Sequence, residues 1–203
     1  SSAASDVYKR QELESEIQWL LNIDDVNICK PISKNGEYVK KINDCYCTMY
    51  KYIDGIADVE IEGNENLYIE IGRIAGLLHK NTIEKPFNAI RPKWSMENLI
   101  GKNGLWGYWR KTTALNNPQK DIVEKTCTKI YEKVANYKTD KYGLIHIDLR
   151  LTNIIVGKTT GVIDFDDCGY GYFMQDLASS VSFLENSPQL SLSLIHISEP
   201  TRP

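Results

Sequence analysis

The chain has 203 residues, a net charge of -3, 42% hydrophobic and 25% charged residues, an ordinary globular composition that can fill one core or two small lobes. That charge argues against a general nucleic-acid binder, which usually carries a basic stripe, and the sequence shows no apolar run near the roughly 20 residues that span a membrane and no leader with a basic start, an apolar stretch and a small-residue cleavage site. Its five cysteines, Cys29, Cys45, Cys47, Cys127 and Cys168, are odd in number and scattered, which reads as reduced thiols in a cytoplasm.

The two ends are related to each other in an unexpected way. Residues 6–11 read Asp-Val-Tyr-Lys-Arg-Gln, and one DNA spelling of them is GAT GTG TAT AAG AGA CAG. The reverse complement, CTG TCT CTT ATA CAC ATC, encodes Leu-Ser-Leu-Ile-His-Ile, which is residues 192–197. A protein has no reason to carry both strands of one DNA segment. The expectation is therefore that 1–11 and 192–203 are translated sequencing adaptor and take no part in the core. On that reading His196 is not functional, and the gene continues in both directions beyond residues 12–191.

Within 12–191 the elements follow in order. Glu12 to Ile23 places Leu13, Ile17, Leu20 and Leu21 on one helical face. Val26–Ile32, Tyr38–Ile42 and Tyr46–Tyr52 read as short strands, separated by the turn residues Lys34-Asn35-Gly36 and Asn43-Asp44. Cys45 and Cys47 fall on one face of such a strand. They are expected to be buried structural thiols, because no second ligand pair completes a zinc site. Leu67, Ile71, Ile74, Ala75 and Leu78 predict a helix over 65–80. Residues 86–116 read as irregular, with Trp94, Trp106 and Trp109.

A helix is then expected from Asn117, as cap, and Pro118 to about Tyr137, with Val123, Cys127, Ile130 and Val134 inward. Short apolar runs follow at Gly143–Ile147, Asn153–Val156 and Val162–Phe165, and Asp176–Leu184 reads as helical. A small sheet with one helix, followed by a mostly helical part, predicts two lobes, 12–55 and 56–191, joined near Tyr50 to Gly55.

The chemistry concentrates in His146-Ile147-Asp148-Leu149-Arg150-Leu151-Thr152-Asn153 and Val162-Ile163-Asp164-Phe165-Asp166. Phosphoryl transfer from ATP needs a carboxylate to orient the acceptor hydroxyl and take its proton, and oxygen ligands that hold magnesium against the phosphates. A loop reading H-x-D with Asn five residues after the Asp supplies the carboxylate and one ligand. The following hairpin brings a second acidic ligand. Gly157-Lys158-Thr159-Thr160-Gly161 is that hairpin's turn; as a Walker phosphate loop it would need Gly at position 152, which is Thr. Singly, Asp148 could be a turn residue or cap, His146 a core histidine, and Asn153 a turn stabiliser. The combination and its order point to phosphotransfer.

The stretch Gly143 to Val156, with Val162 to Ala178, resembles the aminoglycoside phosphotransferase and choline kinase-like superfamily. It is most similar to the bacterial branch that holds the stress-response serine/threonine kinase and homoserine kinase relatives. Arg91-Pro92-Lys93-Trp94 and Gly104 to Arg110 also resemble that branch, and the similarity covers nearly all of 12–187. The resemblance implies an α+β, protein-kinase-like two-lobed fold, cut at both ends, and an ATP- and Mg2+-dependent transfer of phosphate to a hydroxyl of a small molecule.

It further implies Asp148 as the base, Asn153 and Asp164 as magnesium ligands, and Asp166 as an accessory to the metal. Glu16 would be the helix glutamate that pairs with a phosphate-binding lysine. Tyr50 and Tyr52 would stand in a hinge, 49–53, whose backbone meets adenine. Asp176 would brace the catalytic loop, and Arg150 would either meet the transferred phosphate or lie on the surface. No Gly-rich loop or partner lysine precedes Glu16, so the chain as it stands is expected to lack useful activity. A protein serine/threonine kinase, a nucleotide-binding pseudokinase or scaffold, and a metal-dependent hydrolase using His146 remain as other readings.

Overall fold

A computed structural model describes residues 2–57, 65–137 and 139–182, with the side chains of 2–8 and 65 excepted. The expected tail at 192–203 and the end of the last predicted helix, at Leu184, lie outside the described residues. The fold is α+β: helices surround three small sheets, of two or three strands each.

Helix α1 spans Ser2–Asn22, so it runs without a break through the position where the native sequence was expected to begin. Lys9, Arg10 and Gln11 are exposed on it, and Arg10 Nε pairs with Glu14 Oε1 at 2.8 Å. The buried stretch starts at Ser15 and includes Ile17, Trp19, Leu20 and Ile23. Leu21, expected inward, is exposed.

Strand β1 is short, Asn27–Ile28. It runs parallel to β6 (Gly161–Val162), which pairs antiparallel with β5 (Ile154–Ile155). The hairpin of β2 (Val39–Ile42) and β3 (Cys45–Thr48) stands beside it. Before β2, Lys34 and Glu37 bond to each other across Asn35 and Gly36, whose φ values are 57° and 81°. Two successive positive φ angles define a tight turn that Asn-Gly adopts at little cost. Cys45 and Cys47 do share a face of β3, but both are exposed. The hairpin leaves that face uncovered, so their expected burial is not met.

Helix α2 (Glu65–Glu84) buries Leu67, Ile71, Ile74, Ala75 and Leu78, the stripe read from the sequence. These side chains meet Trp19 and Leu20 of α1 and Leu144, Leu149, Val162 and Phe165 around the strands, forming one core. At about 1.5–3 kcal/mol for each large apolar side chain removed from water, this cluster dominates the stability of the described part. Phe165 packs edge-on against Trp19, ring centroids 5.7 Å apart.

The region expected to be irregular holds a short helix α3 (Met96–Ile100) and a 3-10 turn, Trp109–Lys111. Helix α4 (Asn117–Ala135) starts one residue earlier than expected. Asn116 is the cap: its side chain accepts from Gln119 N, and Gln119 returns the bond to Asn116 N. This reciprocal box outcompetes Asn117, which the sequence reading placed there. Cys127 is the buried residue of α4, while Ile130 is exposed because the helix touches the body along one edge only. Asn116→Ala is expected to cost about 1 kcal/mol, seen as faster amide exchange in the first turn of α4 with the rest of the protein unchanged.

Strand β4 (Tyr142–Ile145) pairs antiparallel with β7 (Gly169–Tyr172), and α5 (Met174–Ser180) follows directly. Trp94, Ile145, Ile147 and Phe173 form a second, smaller cluster under this pair. No helix among the described residues is long and apolar enough to cross a membrane.

Candidate active site

The end of β4 and the β5–β6 hairpin converge on one point. After Ile145 the chain turns through His146, which is fully buried, and Ile147, whose φ of 67° is left-handed. A β-branched residue adopts that conformation only when its surroundings enforce it. The enforcing group is Asp176, fully buried on α5, whose carboxylate accepts from Ile147 N at 2.7 Å, His146 N at 3.3 Å and His79 Nε2 at 2.8 Å. The turn so held presents Asp148 outward. His146 stays inside: its Nε2 donates to Ile163 O at 3.0 Å, and burial pushes its pKa below the usual histidine value. It is the core histidine of the structural alternative, not a ligand.

Asp148 and Asn153 are tied to each other. Asn153 Nδ2 donates to Asp148 O at 2.8 Å and to Asp148 Oδ2 at 3.0 Å. The amide's carbonyl end is therefore the one able to meet a cation. A 3-10 turn, Leu151–Asn153, ends the segment 146–153 that joins β4 to β5. Arg150 Nη2 donates to Asp148 Oδ2 at 2.6 Å, and its Nε also pairs with Oδ1. The guanidinium thus forks the carboxylate.

Asp164 stands at the far end of β6 with φ 66°. The residue before it is pinned from both sides: Ile163 N donates to Asn153 O at 3.0 Å, and Ile163 O accepts from His146. The two halves of the motif are therefore stitched together by one backbone bond and one bond from the His146 side chain. Partial burial, a hydrogen bond with Asp166 and the nearby charges of Asp166, Asp148 and Asp167 push the Asp164 carboxyl up to about 6. Burial also raises Asp167, partly offset by a hydrogen bond from Trp106 Nε1, at 3.2 Å.

Crowded carboxylates with raised pKa values are a site in which added positive charge would be stabilised. Among the described residues no three His, Cys, Asp or Glu side chains form a closed metal cage. Magnesium seldom needs one, since it is bound through one or two carboxylates together with substrate phosphates and waters. The hard oxygen donors of Asp164, Asp166 and Asn153 fit that mode. The hydrolase alternative loses ground, because His146 is buried and His79 is committed to Asp176.

Glu16 is buried on α1, and its pKa is raised, by burial first, against the lowering effects of Tyr50 and Arg91. Tyr50 Oη donates to Glu16 Oε1 at 2.6 Å, and Arg91 Nη1 lies 3.6 Å from Oε2. The sequence reading placed Tyr50 in the hinge for its backbone; its side chain is what reaches Glu16. Lys51 N donates to Lys30 O, so that part of the backbone is used within the fold. Tyr52 is 84% exposed. Sequence reasoning missed the structural roles of Arg91 and Trp94, although it noted the motif that contains them.

A model of the phosphotransferase enzyme family matches residues 3–199. The chain belongs to that family, within the aminoglycoside phosphotransferase and choline kinase-like superfamily. It is 28% identical over 174 residues to amicoumacin kinase of Bacillus subtilis (strain 168), a match covering 80% of this chain and 50% of that protein. Among solved structures it is similar to a microcompartment-associated aminopropanol kinase, with a TM-score of 0.75 and 27% identity over 90% of this chain and 61% of the other. An amicoumacin kinase, solved with AMP-PNP and Ca2+, shares the fold at a TM-score of 0.67 and 23% identity, covering 88% of this chain and 55% of the other. The chain thus spans half or less of the length of the curated relatives it matches.

Proposed function

We propose that the complete protein is a cytoplasmic kinase that moves the γ-phosphate of ATP, with Mg2+, to a hydroxyl of a small molecule. The observation that carries this reading is the stitching of Asp148 and Asn153 to Ile163-Asp164. It brings a carboxylate suited to receive a hydroxyl proton beside oxygen donors suited to a metal–phosphate complex. Asp148 orients the acceptor hydroxyl and takes its proton. Asn153 and Asp164 hold the metal, with Asp166 beside them. When bound, Mg2+ supplies positive charge against the phosphates.

Glu16 and residues 49–53 form the nucleotide side. Arg150, now forked on Asp148, sits two residues from the base and can exchange that partner for the transferred phosphate. The named relatives act, by their names, on amicoumacin and aminopropanol, both small molecules.

The spacing after Asp164 favours a small acceptor over a protein. Residues 169–172 are used as β7 and α5 begins at Met174, so little chain remains to shape a groove for an extended peptide. The test is calorimetric titration of the complete protein with ATP in the presence and absence of Mg2+, followed by ATP turnover against a panel of small alcohols and of proteins. Binding that needs Mg2+, with turnover stimulated by a small alcohol, is the expected result. Stoichiometric phosphorylation of a protein with no small acceptor would overturn the substrate class, and no metal-dependent nucleotide binding would overturn the kinase reading.

A further inference from the structure

Arg91-Pro92-Lys93-Trp94 lies between α2 and α3, about 70 residues from the acidic turn in sequence. In space it grips that turn. Arg91 Nη2 donates to Asp166 O, Trp94 Nε1 donates to Asp167 O at 2.8 Å, and Arg91 Nε donates to Cys168 O at 2.6 Å. Three successive carbonyls, immediately after Asp164 and Phe165, are thereby held by two side chains of one short segment. The same segment is laced to β7: Trp94 N donates to Tyr170 O at 2.7 Å and Tyr170 N to Pro92 O at 2.8 Å.

The approach is close enough that Gly169 has no alternative. A Cβ there would stand 2.5 Å from Pro92 O and 2.7 Å from Trp94 Nε1. On its other side the guanidinium faces α1. Its Nη1 donates to Glu12 O at 3.4 Å and stands 3.6 Å from Glu16 Oε2, with the Arg91 side chain 5% and that of Glu16 4% exposed. A charge so deeply buried is tolerated only when its donors are used, and here they are used on the acidic turn and on the helix that carries Glu16.

Resting on the phosphotransfer reading above, we propose that Arg91 and Trp94 are positioning residues that set the Asp164–Asp167 turn for the metal–nucleotide complex. Neither touches the reacting groups. Asp164, Asp166 and Asp167 repel one another, and Asp164 holds a left-handed φ, so the turn has reason to open when it stands alone. Phe165 anchors it on Trp19 from one side. Arg91 and Trp94 fix its carbonyls from the other, and the guanidinium adds a positive charge that acts on the Asp167 carboxylate. Arginine suits this role because its planar fork holds its donors at fixed separations, one aimed at each carbonyl and one at α1, whereas a lysine offers a single nitrogen.

The test uses Arg91→Lys and Trp94→Phe in the complete protein. The first keeps the charge beside Glu16 but loses the fork; the second keeps most of the buried ring but loses the donor. The readout is Mn2+ binding to the protein–nucleotide complex, followed by electron paramagnetic resonance, alongside kcat and the acceptor KM. Groups that orient ligands from behind typically change metal affinity by about 10- to 100-fold. Arg91→Lys is expected to raise the half-saturating Mn2+ concentration about tenfold, and Trp94→Phe roughly threefold, because it removes one of three bonds. At saturating Mn2+ both should recover a kcat near that of the parent, with the acceptor KM unchanged.

A purely structural role would instead lower the fraction of folded protein and leave the Mn2+ half-saturation of that fraction where it was. Unchanged half-saturation in Arg91→Lys overturns the proposal while leaving the kinase reading intact. Absence of cation-dependent nucleotide binding in the parent protein overturns the kinase reading itself.

Discussion

Asp148→Asn in the complete protein is expected to lower the phosphotransfer rate by about 10²- to 10⁴-fold, with nucleotide and metal affinities nearly unchanged. The substitution keeps the shape of the side chain and one carbonyl that can accept from Asn153 Nδ2, now 3.0 Å from Asp148 Oδ2. It removes the proton acceptor and the charge that Arg150 forks. Little of that role is expressed before the transition state, so the loss falls on kcat. Asp164→Asn should differ in kind. It removes a full charge from the metal side, so it should raise the metal requirement and weaken metal–nucleotide binding together with the rate. Added Mg2+ or Mn2+ should restore it in part. The measurement is turnover and nucleotide affinity against metal concentration for both variants. Rescue of Asp148→Asn by metal, with none for Asp164→Asn, would reverse the assignment of base and ligand.

What the sequence disclosed was local. The hairpin of β5 and β6 is bounded by Gly157 and Gly161, with Ile154 paired to Val162 and Ile155 to Gly161, and its apolar runs and turn residues lie within ten positions. The α2 stripe repeats at the helical period and is buried as read. Asp148, Asn153 and Asp164 sit on adjoining short elements, so their spacing was enough to point to the candidate site.

What stayed hidden depends on distant partners or on competition between near-equal local choices. Strand β7 reads Gly-Tyr-Gly-Tyr, and glycines argue against a strand. Gly171 nonetheless stands opposite Gly143 across the β4–β7 ladder, and a Cβ on Gly171 would meet Gln175 Oε1 at 2.3 Å. The cap of α4 fell on Asn116 instead of Asn117 because only Asn116 has Gln119 in reach. Tyr50 finds Glu16 across 34 residues, and Arg91 finds the acidic turn across 75; no periodicity announces either pair. Cys45 and Cys47 were right in face and wrong in burial, since alternation gives the face of a strand but not what covers it.

Asp176→Ala is expected to cost about 3–5 kcal/mol, a large share of the roughly 5–15 kcal/mol that holds a typical domain. The Asp176 carboxylate is fully buried and serves three donors. Removing it leaves the Ile147 and His146 amides and the His79 ring without an acceptor, and each buried donor left so costs about 1–3 kcal/mol. The left-handed Ile147 then has nothing to enforce it and can relax to ordinary backbone, carrying Asp148 away from Asn153. His79 lies flat on Phe173, ring centroids 4.4 Å apart, so its ring would keep its packing and lose its bond.

Asp176→Asn separates the two consequences. Its carbonyl can still accept, but its amide turns a donor toward donors, so one contact is lost and the stability cost should fall to about 1–2 kcal/mol. The rate should still drop, because Asp148 follows the loosened residue directly. Denaturant midpoints for both variants, with turnover for Asp176→Asn, check this. An Asp176→Ala protein within about 1 kcal/mol of the parent would mean that the loop before Asp148 holds its shape without Asp176.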